Sequence, residues 1–198
     1  MENLRTLKNG QPLQGVIALL FTPFSADGKS VDAASMHRQL DRVLEAGVAG
    51  VVACGKAGEF EGINAAEFEQ VLSLVLEGVA GQVPVGAGII SVEREAGVQA
   101  AACAAGCGAD FAMVKKLSRQ RLHEFYLEIA ERLPVMVYDQ SNEGNLDLER
   151  EALPLLAQPG SDWFGARSLR GLGHGLRLSG RRCPARGGYF LLLPHRLQ

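Results

Sequence analysis

The part of the sequence that indicates the fold most clearly is Val51–Gly62, VVACGKAGEFEG. An apolar run at Val51–Cys54 is followed by small residues at Gly55–Gly58 and then by the acid Glu59. This order is typical of a buried parallel strand that turns into a helix. Loops at the carboxyl ends of parallel strands often bind ligands, and glycines let backbone N–H groups approach a small anion. The stretch therefore predicts a βα unit whose loop is either an anion site or an ordinary connection.

Similar units recur on both sides of this stretch. Strands are predicted at Gly15–Phe24, Gly50–Cys54, Val83–Ile90, Gly108–Lys116 and Leu133–Tyr138. Helices are predicted after them, over 33–46, onward from 64, and over 91–105, 118–132 and 147–158. Short polar residues that can cap a helix start them: Asp32, Asn64, Ser91, Ser118 and Asp147. Five βα units in a row predict an α/β fold with a parallel sheet, either open and doubly wound or closed into a barrel.

The glycine pattern argues against a dinucleotide site. No G-x-G-x-x-G turn follows the first predicted strand, and Gly86-Ala87-Gly88 lies inside the third strand without a third glycine. An open flavodoxin-like sheet that binds an anion at Gly55–Gly58 remains the alternative architecture.

Composition limits the class of protein. The chain has 198 residues, of which 47% are hydrophobic and 21% charged, and these values fit one globular core. It contains no apolar run of membrane-spanning length, and its start lacks the core of a signal peptide. Four cysteines favour a reducing cytoplasm. Cys103 and Cys107 share a helix face without histidine nearby, so we expect packing and no metal site.

The repeating pattern stops near residue 158. Residues 159–198 contain seven Arg, one acid and no Lys, Val or Ile, a formal charge of +6 against −8 for the rest of the chain. We therefore divide the chain into an N-terminal arm (1–14), a barrel domain (15–158) and an irregular Arg/Gly-rich tail (159–198). The tail can be a basic arm, a disordered segment or a segment translated out of its ancestral frame. The abrupt break, where a sixth strand is due, favours the last, and we expect no nucleic-acid or membrane partner.

An ordered set of motifs resembles the dihydrodipicolinate synthase / N-acetylneuraminate lyase family. The first strand ends in Thr22-Pro23-Phe24, and Gly55–Glu59 reads GKAGE where that family has Gly-Thr/Ser-Thr-Gly-Glu. Val83–Gly88 resembles its P-V-I-A-G strand, and Tyr138-Asp139 stands at its Tyr-Asn. The similarity covers about residues 12–158. It implies a (β/α)8 TIM barrel, usually tetrameric, that needs no added cofactor.

The resemblance also implies a chemistry. Members condense or cleave pyruvate-type 2-keto acids through a lysine Schiff base. By position, Gly55, Ala57 and Gly58 fall in the loop that holds the keto-acid carboxylate, and Lys56 and Ala57 replace its two hydroxyl residues. Tyr138 matches the tyrosine that relays protons to the forming carbinolamine, a role that suits a phenol.

The chain departs from the family's pattern at the lysine that acts as nucleophile. The Schiff-base lysine belongs on strand six, and Lys116 is the last lysine of this chain. A relocated amine is therefore predicted at Lys56 or Lys116. The alternative is that these lysines are solvated or form ion pairs with Glu59 or Asp139. Glu59 itself is predicted to cap the next helix or to support the loop.

The sequence thus predicts an incomplete barrel of about five βα units and a lyase that is impaired without its strand-six lysine. A non-catalytic keto-acid-binding fragment, or a defective gene product, is the alternative function. Five strands cannot close an eight-stranded barrel, and the unpaired edges predict a homo-oligomer or an aggregation-prone chain.

Overall fold

The computed structural model describes residues 13, 15–91, 93–115, 122–139, 163–168 and 189–191. The strands in these ranges are β1 (Val16–Leu19), β2 (Gly50–Ala53), β3 (Val85–Ile89), β4 (Phe111–Lys115), β5 (Val135–Asp139), β6 (Trp163–Ser168) and β7 (Tyr189–Leu191). The helices are α1 (Ala33–Glu45), α2 (Ala65–Val79), α3 (Arg94–Cys107) and α4 (Leu122–Ala130), with a short 3-10 turn at Phe60–Gly62. The arm at 1–14, apart from residue 13, and the helix predicted over 147–158 lie outside the described residues.

The seven described strands form a closed barrel in chain order. Each strand from β1 to β5 pairs in parallel with the strand that follows it, and β7 lies antiparallel between β6 and β1. Helices α1 to α4 fill the connections between β1 and β5. The predicted incomplete (β/α) barrel of five parallel strands with alternating helices is therefore confirmed, and the open-sheet alternative is wrong.

The structure differs from the sequence prediction in the tail. Trp163–Ser168 and Tyr189–Leu191 are strands within the segment expected to be irregular, and they cover the edges of β5 and β1 that we expected to stay unpaired. Ladder hydrogen bonds join backbone groups, so a free edge can pair with a segment whose side chains show no strand pattern. The origin of the tail in another reading frame stays a prediction.

The starts of α1 and α2 follow the predicted capping residues, and the start of α3 does not. The predicted caps Ser118 and Asp147 lie outside the described residues. Asp32 accepts a hydrogen bond from the Ser35 backbone N–H at the start of α1. Asn64 and Glu67 form a reciprocal capping box at the start of α2. Ser91 does not cap α3, because that helix begins at Arg94 and the Ser91 hydroxyl instead bonds to the backbone of Glu93.

Alternation along the strands separates two apolar layers. One cluster lies inside the barrel: Ile17, Val52, Ile90, Phe111, Met113, Met136 and Tyr138. The other lies between the strands and the helices and includes Val51, Ala53, Ala112, Val114 and Val135 from the strands. At Gly86 a side chain would collide with the Phe111 ring, so the missing side chain makes room for that ring in the interior. The carboxyl ends of the parallel strands thus surround one filled interior.

Candidate functional site

The loop after β2 is bracketed by two strained residues. Cys54 and Glu59 have φ values of 55° and 58°, in the left-handed region that residues other than glycine rarely adopt. Such a conformation costs on the order of 1–2 kcal/mol per residue and persists where surrounding contacts enforce it. Between them Gly55 and Gly58 are buried, Ala57 is half-buried and Lys56 is exposed. The strained ends fold Gly55–Gly58 back onto the barrel.

Internal hydrogen bonds shape this loop. The N–H groups of Gly58 and Phe60 donate to the Gly55 carbonyl at 3.0 and 3.3 Å, and the N–H of Glu59 donates to the Lys56 carbonyl at 3.3 Å. Within the described part of the chain, the N–H groups of Gly55 and Ala57 have no hydrogen-bond acceptor. Unpaired backbone donors at a loop of this kind suit a small anion such as a carboxylate.

Thr22 attaches the loop to the end of β1. Its hydroxyl donates a 2.7 Å hydrogen bond to the Gly58 carbonyl, and the residue is 8% exposed. A buried hydroxyl paired with a buried carbonyl satisfies both groups, and loss of either leaves the other unpaired. Thr22 is therefore a positioning residue for Gly58. From the sequence, Thr22 was assigned no role of its own, although it stands in the Thr-Pro-Phe motif.

Gly88 on β3 allows the loop to approach the barrel. A Cβ atom there would lie 2.4 Å from the Cα of Gly55 and 2.6 Å from its nitrogen. A Cβ at Gly55 would in turn meet the Met113 side chain at 3.1 Å. The two glycines therefore let the loop rest directly on β3 and above the interior residue of β4. From the sequence, Gly88 was placed in the P-V-I-A-G-like strand and in a poor dinucleotide pattern, and was assigned no role at the loop.

Tyr138 stands at the carboxyl end of β5, where the sequence predicted a catalytic residue. It is 4% exposed and belongs to the interior cluster, against which Phe60 of the loop also packs. Its neighbour in the parallel ladder is Lys115, the last residue of β4. The structure therefore brings the tyrosine, the segment that follows Gly58 and a lysine to the same end of the barrel.

Of the two lysines predicted to supply the amine, Lys56 and Lys116, the structure describes Lys56. Lys56 is exposed on the loop. Lys116 lies outside the described residues, so its prediction cannot be compared with a position. The strand beside β5, Trp163–Ser168, contains no lysine.

Glu59 does not have the capping role that the sequence predicted. Its side chain makes no capping hydrogen bond, and Asn64 caps α2 instead. The reason is distance along the chain, because the 3-10 turn Phe60–Gly62 separates Glu59 from the helix. Glu59 contributes its left-handed backbone to the loop instead.

The thiols near the loop are poorly suited to nucleophilic chemistry. Burial, with a smaller effect from Cys103, raises the pKa of Cys54 to about 12, and Cys54 is 1% exposed. Burial, followed by the influence of Cys107, raises the pKa of Cys103 to about 11. The thiolate is the reactive form, so both side chains act as packing groups near neutral pH. Among the described residues no group of three or more His, Cys, Asp or Glu side chains is placed to hold a metal ion.

Parallel βα units with small and polar residues at the carboxyl ends of the strands define the class of (β/α)-barrel proteins. Within that class the chain belongs to the dihydrodipicolinate synthetase family, whose profile matches residues 12–161. The 4-hydroxy-tetrahydrodipicolinate synthase of Methanopyrus kandleri is 31% identical over 169 residues, which are 82% of this chain and 56% of that protein.

Solved structures show the same relation. A chloride-inhibited dihydrodipicolinate synthase from Acinetobacter baumannii, in complex with pyruvate, superposes with a TM-score of 0.68 at 27% identity over 77% of this chain and 54% of that one. YagE from E. coli K12, a prophage protein of the same family solved with pyruvate, gives a TM-score of 0.60 at 28% identity over 65% of this chain and 45% of its own.

The chain spans about half the length of the relatives that it matches. Among the described residues no helix is both long enough and apolar enough to cross a membrane.

Proposed function

We propose that this chain is a keto-acid lyase of the dihydrodipicolinate synthase type, which condenses or cleaves a pyruvate-type 2-keto acid and an aldehyde through a Schiff base. The observation that carries the proposal is that Tyr138 belongs to the interior cluster and that the loop Gly55–Gly58 lies against Met113 of the same cluster. The pyruvate complexes of two structural relatives support the substrate class.

Each element of the site receives a role. The N–H groups of Gly55 and Ala57 hold the substrate carboxylate, with Lys56 adding positive charge at the rim and Gly58 fixing the turn. Tyr138 transfers protons to and from the substrate oxygen. Lys56 and Lys116 remain the amines that the sequence predicted. We further propose that the protein works in the cytoplasm as a homo-oligomer and without an added cofactor.

Proton exchange at the pyruvate methyl group tests the proposal without knowledge of the aldehyde. A Schiff base of pyruvate interconverts with its enamine, so a protein that forms this intermediate exchanges the methyl protons with deuterium in D2O faster than a protein-free solution does. Proton NMR of pyruvate incubated with the full chain should show protein-dependent loss of the methyl signal. Absence of both exchange and pyruvate binding would contradict the proposal.

Tyr138→Phe should slow this exchange by about 10²–10⁴-fold, because the phenyl ring keeps the packing and loses the proton-transferring hydroxyl. Pyruvate binding, measured by calorimetry, should persist. Tyr126→Phe is the matched control for stability, since it also removes the hydroxyl of a buried tyrosine, here on α4. Exchange at the unmodified rate in Tyr138→Phe would exclude the proton-transfer role.

The alternative function is a fragment that binds keto acids without turning them over, or a defective gene product. The absence of lysine from the strand beside β5 favours this reading. Pyruvate binding with no deuterium exchange would support binding alone.

A further inference from the structure

The direction of side chains along β4 separates its residues into two sets. Phe111 and Met113 belong to the interior cluster, whereas Ala112 and Val114 belong to the layer under the helices. Since successive residues of a strand point to opposite faces, Lys115 lies on the same face as Phe111 and Met113. Lys115 therefore points into the barrel at its carboxyl end, and its half-buried state agrees with that position.

The register of the sheet places this lysine beside Tyr138. Lys115 pairs with Tyr138 in the parallel ladder, just as Met113 pairs with Met136 two residues earlier. Paired residues on neighbouring strands share a face and lie at the same height. The Tyr126 hydroxyl also donates to the Lys115 carbonyl at 3.2 Å, which ties the end of β4 to α4. An amine and a phenol thus stand side by side at the rim of the barrel interior.

We infer that Lys115 is the amine that forms the Schiff base with the keto acid in this chain. The inference rests on the proposed function and replaces the sequence-based choice of Lys56 or Lys116. Lys56 is itself exposed on an otherwise largely buried loop, and the strand beside β5 has no lysine. Lys115 stands in register with Tyr138 and on the same strand as Met113, the residue that Gly55 overlies.

The chemistry balances with these two residues alone. The neutral Lys115 amine attacks the C2 carbonyl, forming the C–N bond, while the carbonyl oxygen takes the proton of the Tyr138 hydroxyl. The nitrogen then loses a proton to the Tyr138 phenolate, which gives a carbinolamine and restores the phenol. A second proton from Tyr138 lets the hydroxyl leave as water. The nitrogen lone pair forms the C=N bond, leaving a protonated imine beside the phenolate.

Borohydride trapping tests the assignment. The full chain is incubated with pyruvate, reduced with sodium borohydride and digested, and the modified lysine is located by mass spectrometry. Hydride addition to the imine carbon makes a stable secondary amine whose mass gain is that of pyruvate minus one oxygen atom. Fragment-ion spectra must separate Lys115 from its neighbour Lys116. We expect the adduct on Lys115, and its loss to background in Lys115→Met.

Variants distinguish failure of this inference from failure of the proposed function. Lys115→Arg keeps a positive charge but cannot form an imine under these conditions, so it should bind pyruvate without an adduct. Lys29→Met, an exposed lysine in the turn after β1, is the control that should keep the adduct on Lys115. An adduct on Lys56 or Lys116 would overturn the inference and leave the proposed function standing. Pyruvate binding without any adduct would overturn the inference and favour a binding role. No binding at all would overturn both.

Discussion

The loop Gly55–Gly58 can lie against β3 because Gly88 has no side chain. A methyl group there would overlap the backbone of Gly55, so Gly88→Ala should push the loop away from β3. Overpacking of this kind typically costs about 1–3 kcal/mol, and it should also weaken pyruvate binding. Gly62→Ala is the matched control, because a Cβ at Gly62 would meet nothing within 4 Å. Denaturant unfolding and calorimetry measure both effects, and equal behaviour of the two variants would contradict the close approach.

Cys54 should make stability fall in alkaline solution. Its pKa is raised from 9.0 to about 12, chiefly by burial, so the unfolded chain releases the thiol proton first. This contribution to stability is complete below pH 9 and is lost as the pH rises from about 9 toward about 12. Linkage predicts a loss on the order of 1 kcal/mol by pH 10 for this group.

The measurement is the free energy of unfolding at pH 8 and pH 10. Cys54→Ala removes the thiol, so its decline between the two pH values should be smaller than that of the unmodified protein by the predicted amount. Alkaline groups other than Cys103, which interacts with the Cys54 thiol, affect both proteins alike. Equal declines in the two proteins would show that the thiol does not titrate differently on folding.

At the scale of elements, local capping rules predicted the starts of α1 and α2 correctly and the start of α3 wrongly. The capping box of α2 was visible because Asn64 and Glu67 have the required spacing. The face of the sheet on which Lys115 lies was harder to predict, because it depends on where β4 begins and on the register of β4 with β5. One residue of shift in either would reverse its face. The loop at Gly55–Gly58 could be identified from its composition, but its attachment through Thr22 and Gly88 required the tertiary structure.

Asn64→Ala should destabilise the protein by about 1 kcal/mol, since two N–H groups at the start of α2 lose their side-chain acceptor. Asn64→Asp should lower the free energy of unfolding much less, because a carboxylate accepts the same hydrogen bonds and is stabilised at the positive end of the helix dipole. Thermal or urea unfolding gives both values. Equal losses in the two variants would mean that the capping bond is not the source of the effect.

At the scale of the whole molecule, the sequence predicted the five parallel strands but not that β6 and β7 close the sheet into a barrel. Short runs of mostly apolar residues mark β1 to β5, whereas the tail strands pair through backbone groups that leave little trace in composition. The prediction of unpaired edges was therefore wrong for β1 and β5 within the described residues. The oligomeric state stays a prediction.

Deletion of residues 159–198 should expose the edges of β1 and β5, because it removes both β6 and β7. We expect the shortened chain to associate into larger species in sedimentation velocity runs, through pairing of the free edges. Deletion of residues 192–198 alone, which lie after β7, is the control and should sediment like the full chain. A shortened chain that sediments as a stable monomer would contradict the proposed role of the two strands in closure.

The antiparallel position of β7 also bears on the order of events during synthesis. The first strand to leave the ribosome finds its second partner only at the other end of the chain, since Val16 pairs with Leu191. Contacts so distant in sequence form late, because they must first overcome the entropy of a long intervening loop. The nascent protein therefore carries an uncovered β1 edge until β7 has been synthesised, and we expect chaperones to bind it during that interval.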